Sequence, residues 1–217
     1  MGREFEQLFN EWASTYDQTV MGNDIEYKEV FRKYDDILDE VATKAIGSVL
    51  EFGVGTGNLT RRIIDKGHTI YGIDPSEEMR KIATSKIPDL NVMDGDFLSF
   101  PKINEPIQTI VSSYAFHHLT DSEKEEAIAI YSNMLNTGDK IVFADSIFEN
   151  EKALLEMIEK AKSRRHLNLL QDLETEYYST IPVLKKMFSD NRFEVSFKQM
   201  NDFVWIIEAV KIIKGSG

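Results

Sequence analysis

Residues 49–60 read VLEFGVGTGNLT, with three glycines, Gly53, Gly55 and Gly57, inside five positions directly after a largely apolar run. The run Ser48–Phe52 has the character of a strand, whereas the following NLTRRIIDKGH places Leu59, Ile63 and Ile64 at helical spacing, so the stretch reads as strand, tight turn, helix. Such a turn brings bare backbone close to a ligand and aims the helix's first free N–H groups into the crevice beyond the strand. That crevice favours a nucleotide-like or anionic group. Glycines also serve simply to join strand to helix, so the surrounding sequence has to decide.

Around this stretch strands and helices alternate. Strands are expected at Ser48–Phe52, Thr69–Asp74, Leu90–Met93, Thr109–Ser113 and Lys140–Asp145, and helices at Asn58–Lys66, Ser76–Ile87 and Asp121–Asn136, the last two opened by Ser76 and Asp121 as N-caps. This is the βαβ rhythm of a parallel sheet. An amphipathic segment precedes it, YKEVFRKYDDILDEVATKAI, with Val30, Tyr34, Ile37, Leu38 and Val41 on one face. Beyond Phe148 the rhythm changes to a long helix through NEKALLEMIEKAKSRRHLNLL, a further helix near Ile181–Ser189, and two strands close enough in sequence to form an antiparallel hairpin. The terminal KGSG reads as a tail outside the fold.

Composition bounds the function. The chain has 217 residues, 42% of them hydrophobic, which suits one domain with a sizeable core. It has no cysteine, which excludes disulfides, thiolate metal sites and a cysteine nucleophile. Its net charge of −12 disfavours nucleic acid, because nonspecific binding depends on Lys and Arg at phosphates. The basic run KAKSRRH, from Lys160 to His166, reads as a solvated helix face, since Glu156 and Glu159 share its segment. The charged N-terminus lacks a signal-peptide core, no run approaches a membrane span, and Glu6 stands where a myristoylation signal needs Ser or Thr. A cytoplasmic location without membrane partners is expected.

Ligands of open parallel sheets sit beyond the carboxyl ends of the strands. Here the second strand ends at Asp74, about twenty residues past the glycines, where a carboxylate accepts both hydroxyls of a ribose. The third strand leads into Asp94 and Asp96, the fourth into SSYAFHHL, and the fifth ends at Asp145. The glycine spacing is G-x-G-x-G, with Asn58 where a dinucleotide fingerprint would carry its third glycine, so it departs from the NAD form.

The segment Glu51–Gly57 matches the E-x-G-x-G-x-G signature of the class I S-adenosylmethionine-dependent methyltransferases, and the chain resembles that family over nearly its whole length. The resemblance continues through Asp74, the Gly95–Asp96 pair, the His117–Leu119 segment, the L-x-x-G-D-K turn at Leu135–Lys140, and the terminal hairpin. The opening FNEWASTYDQTV looks like a small bacterial branch, the YrrT-like methyltransferases. The fold this implies is α/β: a Rossmann-like, seven-stranded, mostly parallel sheet with helices on both faces and a C-terminal antiparallel hairpin. Within one domain it implies an N-terminal helical cap (1–46), a cofactor-binding core (47–147), a helical substrate-covering insertion (148–180), and a terminal helix and hairpin (181–213).

The resemblance also implies roles. S-adenosyl-L-methionine would pass Gly53, Gly55 and Gly57 along their backbone, with Glu51 near its ammonium and Asp74 on its ribose. Pro75 and Met79 would flank the adenine, Asp96 would accept from the adenine amino group with Phe97 beside it, and Tyr16 would reach the methionine carboxylate. Asp94 competes with Asp96 by sequence alone, and Trp12 is expected as a packing anchor. Because the methyl group leaves an activated sulfonium, positioning supplies most of the rate and no catalytic residue is obligatory. His117 and His118, at the fourth strand end, are the candidate bases for a small-molecule acceptor that carries a proton. No metal is expected: adjacent histidines on one short turn should diverge, and Ser146 follows Asp145 where metal-dependent catechol methyltransferases carry an Asp-Asn pair. Arg164, Arg165, His166, Tyr177 and Tyr178 in the insertion suit a small polar or anionic acceptor. A non-catalytic module that binds S-adenosylmethionine or its demethylated product stays open as the alternative.

Overall fold

Neighbouring residues of the central strands point to opposite faces, and both faces are apolar, as in a parallel sheet buried between two helical layers. In the computed structural model, which describes residues 5–213, β1 (Val49–Phe52) sends Val49 into one core and Leu50 and Phe52 into the other. The remaining strands are β2 (Ile70–Ile73), β3 (Asn91–Met93), β4 (Thr109–Ser113), β5 (Lys140–Ser146), β6 (Phe193–Gln199) and β7 (Val204–Lys211). They form one seven-stranded sheet in the order β3-β2-β1-β4-β5-β7-β6. All pairs are parallel except those of β7, which runs antiparallel to both β5 and β6. The expected architecture is thus present. The KGSG tail lies outside the described residues.

The helices before β1 are α1 (Glu6–Trp12), α2 (Tyr16–Gln18) and α3 (Tyr34–Lys44). Within the βαβ core they are α4 (Asn58–Asp65), α5 (Glu77–Lys86) and α6 (Asp121–Met134), followed by α7 (Glu151–Arg164), α8 (Leu167–Thr175) and α9 (Ile181–Asp190). One apolar core holds Ile37, Leu38 and Val41 of α3 and Ile63 of α4; the other holds Ile128 and Tyr131 of α6 and Leu184 and Phe188 of α9. The chain runs outward from β1 to β2 and β3, then returns to place β4 on the other side of β1. That reversal opens a crevice beyond the carboxyl ends of β1 and β4.

Three local expectations differ from the fold. The amphipathic segment before β1 becomes helical only at Tyr34, because Lys33 adopts a left-handed conformation, φ 66°. The long helix after Phe148 breaks at Arg165, φ 56°, into α7 and α8. Asp121 is not the cap of α6. Thr120 is: its hydroxyl accepts from the Glu123 N–H while the Glu123 carboxylate accepts from the Thr120 N–H, a reciprocal capping box. Ser76 does cap α5, accepting from the Met79 N–H at 3.1 Å. Among the described residues no helix is long and apolar enough to cross a membrane.

The second core also braces the crevice. Phe52 lies between Phe97 and Tyr131, ring centroids 5.3 and 5.2 Å away, and the Tyr131 hydroxyl donates to the Phe97 carbonyl at 2.8 Å. Burial raises the Tyr131 pKa well above its ordinary value, so the phenol remains a donor. Tyr131→Phe leaves a buried carbonyl without this donor and should lower stability by about 1–3 kcal/mol in urea unfolding. Glu77→Ala, at the exposed start of α5 where Glu77 pairs with Lys81, should stay within about 0.5 kcal/mol of wild type.

Candidate active site

The glycine turn sits at the carboxyl end of β1 and the three glycines do different work. All have positive φ, 68° at Gly53, 55° at Gly55 and 85° at Gly57, where side chains are strained. A Cβ on Gly53 would lie 2.8 Å from the Ala115 Cβ, so this glycine lets the β4 loop close against the turn. A Cβ on Gly55 would meet nothing within 4 Å: this glycine borders the cavity and leaves its backbone bare there. Gly57 does not line the cavity. It stands at the N-cap of α4, with Ala83 and Ile87 of the α5 segment against it.

Asp74 ties this turn to the next strand. Its Oδ2 accepts from the Gly55 N–H and its Oδ1 from the Ser76 N–H, both at 2.8 Å. Burial raises its pKa to about 6 against the pull of those two backbone donors and Arg80. Each carboxylate oxygen has a second lone pair, and Asp74 lines the cavity, so it retains acceptor capacity toward a ligand. Pro75 and Met79 line the cavity beside it.

Of the two acids after β3, only Asp96 lines the cavity; Asp94 is exposed and pairs with Arg80 at 3.1 Å. Asp96 Oδ1 accepts from the N–H groups of Leu98 and Ser99, which fixes the loop that carries Phe97 along the wall.

The N-terminal segment covers this end of the crevice. Phe9, Trp12 and Tyr16 line the cavity, with Trp12 edge-on to Tyr16 at 5.3 Å. Two side chains that sequence reasoning passed over hold the cover down. Asp17 accepts from Thr56 at 2.6 Å and from Asn58 at 3.1 Å beside the glycines, and pairs with Lys86. Asn10 accepts from the Ser76 hydroxyl at 2.7 Å. Tyr16, Tyr34 and Tyr114 interact electrostatically with one another, and burial pushes all three phenol pKa values up, that of Tyr34 to about 12. Each therefore keeps its proton to donate. The Tyr114 hydroxyl is buried without a hydrogen-bond partner among the described residues.

Glu51 is fully buried behind the turn and does not line the cavity. Its Oε2 accepts from Thr60 at 2.6 Å while its Oε1 has no partner among the described residues, and burial lifts its pKa to about 8.

At the other end of the cavity the histidines depart from expectation. His117 and His118 occupy a single 3₁₀ turn after β4, yet their ring centroids are only 4.2 Å apart. Tight 3₁₀ winding and the stacking of His117 on Tyr178, centroids 5.3 Å apart and planes 10° from parallel, hold the two rings together. The carboxylate that faces both rings is that of Glu176. His117 Nε2 lies 3.5 Å from Glu176 Oε2, and His118 Nδ1 lies 3.6 Å from Glu176 Oε1. Asp145 instead holds the far side of His117, Oδ1 to Nδ1, at 2.6 Å. Burial disfavours the charged form of both rings. For His117 the carboxylates of Asp145 and Glu176 outweigh it and raise the pKa; for His118 burial and the neighbouring His117 and Lys124 drive it well down.

The insertion contributes differently from the sequence reading. Arg164, Arg165 and His166 do not line the cavity, nor does Tyr177. What lines it there is Leu169, Asp172, Glu176 and Tyr178, with Asp172 accepting from the Tyr27 hydroxyl. Burial raises Asp172 to a pKa of about 6. Glu176 and Asp172 carried no motif, and only their spacing of four on a helical segment marked a shared face.

Residues 49–138 match the methyltransferase domain family. An uncharacterised methyltransferase of Geobacillus sp. (strain WCH70) is 58% identical over 97% of this chain and the whole of that protein, and one of Bacillus cereus (strain 03BB102) is 56% identical over the same shares. Among solved structures, magnesium protoporphyrin IX methyltransferase of Synechocystis PCC 6803 with bound S-adenosylhomocysteine superposes with a TM-score of 0.71 at 17% identity, over 95% of this chain and 97% of that one. The YcgJ protein of Bacillus subtilis superposes at 0.67 with 16% identity, over 83% and 100%. With relatives this similar along its whole length, and the sheet and glycine turn described above, the chain belongs to the class I S-adenosylmethionine-dependent methyltransferases.

Proposed function

We propose that the chain transfers the methyl group of S-adenosylmethionine to a small-molecule acceptor, with the cofactor held along the glycine turn and the acceptor at the histidine end of the cavity. One observation carries this reading. A single cavity joins the ribose-type acceptor Asp74 and the bare Gly55 at one end to His117, His118 and Glu176 at the other. The residues present fit the cofactor. Gly55 leaves backbone open to it, and the unpartnered Tyr114 hydroxyl and Tyr16 are donors suited to its carboxylate, whereas Glu51, buried behind the turn and outside the cavity, supports the turn without meeting the ammonium directly. In this reading Gly57 acts indirectly, by seating α4, and Gly53 by closing the β4 loop. Asp74 takes the ribose hydroxyls, Pro75 and Met79 one face of the adenine, and Asp96 with Phe97 its edge.

Bound S-adenosylmethionine supplies a carbon attached to a sulfonium leaving group, open to in-line displacement. The protein's part is to align, exclude water and expose a lone pair on the acceptor. Alignment at an effective molarity of about 10⁵ M accounts for roughly 7 kcal/mol of the barrier. The N-terminal cover, tied down by Asp17 and Asn10, keeps water out. His117, His118 and Glu176 serve the acceptor's deprotonation, with Asp145 orienting His117, and α8 with Asp172 and Tyr178 covers the acceptor.

The test is transfer of isotope-labelled methyl from S-adenosylmethionine into a small-molecule extract. A labelled low-molecular-weight product is expected, and cofactor binding without any labelled product would point to a non-catalytic binding module. Asp74→Ala removes a pair of charge-assisted hydrogen bonds, each worth about 1.5–3 kcal/mol, and should weaken S-adenosylhomocysteine binding at least tenfold in calorimetry. His117→Ala should slow single-turnover transfer by about 10²–10⁴ with cofactor affinity nearly intact. A parallel fall in affinity would make His117 a wall of the cofactor site instead.

A further inference from the structure

We infer that His117, His118 and Glu176 form a binding site for one divalent first-row transition ion, zinc being the best fit, at the acceptor end of the cavity. This deepens the reading above and rests on it. Each of the three residues offers a ligand atom, and those atoms lie within 4.8 Å of one another. His117 Nε2 lies 3.5 Å from Glu176 Oε2 and His118 Nδ1 lies 3.6 Å from Glu176 Oε1, so each nitrogen meets its own oxygen of one carboxylate near the spacing of about 3.4 Å between ligands of a tetrahedral zinc.

Two further observations point to a cation. His118 Nδ1 is buried, aimed at Glu176, and has no hydrogen-bond partner among the described residues. Such an orphaned nitrogen costs about 1–3 kcal/mol unless something meets it. The outer contacts are also those of a metal site. Asp145 accepts at His117 Nδ1, which leaves the Nε2 lone pair directed toward Glu176, and the Tyr178 hydroxyl donates to Glu176 Oε2. A carboxylate behind a ligating histidine and a donor on a ligating carboxylate orient the ligands and raise their basicity. The buried carboxylate of Asp145 and the part-buried one of Glu176 both face the His117 ring, so a divalent ion there meets opposite charge on both sides.

Two imidazoles and one carboxylate leave coordination positions open, and the three residues line the cavity, so an acceptor oxygen, nitrogen or sulfur can take one of them. With the three side chains as its ligands, the ion would take over from a free imidazole the task of exposing the acceptor's lone pair, lowering the acceptor's pKa so that its proton leaves to solvent as the acceptor binds. The set differs from the acidic donors that suit magnesium, and nitrogen ligands favour zinc, iron(II) or cobalt(II).

The experiment is titration of the chelator-dialysed chain with Co²⁺, read by visible absorption, followed by displacement with Zn²⁺. One Co²⁺ per chain should bind with the intense ligand-field spectrum of a low-coordinate nitrogen and oxygen site, and Zn²⁺ should abolish it. His118→Ala and Glu176→Gln should each weaken binding at least tenfold, and Asp145→Asn, which changes no ligand, by about 10–100-fold. A spectrum indistinguishable from aqueous Co²⁺ in the wild-type chain overturns the site, as does equal affinity in wild type and in His118→Ala or Glu176→Gln. Should a variant fail to fold, the wild-type spectrum alone decides. S-adenosylhomocysteine calorimetry on the same wild-type preparation separates the two claims: binding without Co²⁺ uptake removes only the metal site, whereas loss of both removes the methyltransferase reading beneath it.

Discussion

The buried carboxylate of Asp74 accepts from the Gly55 and Ser76 N–H groups at once, and the ligand end of the molecule is arranged around that fork. Gly55 belongs to the turn after β1 and Ser76 to the cap of α5, so one side chain sets the spacing between two βα units. The carboxylate sits where burial raises its pKa to about 6, and only the two amides and Arg80 keep it near ionisation. A strand-end acid held this way is pre-organised. Its orientation is fixed by the backbone before any ligand arrives, so little order remains to be imposed on binding.

From that fork the cover and the far end of the cavity follow. Ser76 passes the connection to Asn10, and Thr56 and Asn58 pass it to Asp17, so the N-terminal helices are pinned to the glycine turn from two sides. Tyr131 reaches from α6 to the Phe97 carbonyl and braces the loop that carries Phe97 along the cavity wall. At the other end, Lys124 of α6 donates to the Tyr177 carbonyl, which anchors the segment that presents Glu176 to the histidines. Both ends thus depend on α6 as well as on the strand ends.

Much of this was legible in the chain. The apolar strands alternating with helices, the three close glycines and an acid some twenty residues on specify a parallel sheet with a crevice, since few other patterns need left-handed backbone directly after a buried strand. The Gly95–Asp96 match alone favoured Asp96 over Asp94 in the sequence; in the fold Asp96 lines the cavity and Asp94 pairs with Arg80 at the surface. What escaped has physical reasons. Lys33 and Arg165 take left-handed backbone without the glycine that usually signals it, so two helices looked longer than they are. Glu176 and Asp172 face the cavity through packing of α8 over residues more than fifty positions away, which no local pattern records. The histidines were expected to diverge because neighbours in ordinary turns do; 3₁₀ winding and a stacked tyrosine bring them together instead.

The account stands on Asp74 being an ionised acceptor for the cofactor, and the pH dependence of S-adenosylhomocysteine affinity tests it most directly. Because the carboxylate's pKa is raised to about 6 and the ionised form binds, affinity in wild type should be full near pH 8 and fall as pH drops through about 6, by up to tenfold per unit. In Asp74→Asn the affinity should be lower throughout and this component of the slope should vanish. Identical pH profiles in the two proteins would contradict the account, because the cofactor would then be held without the charge at the end of β2.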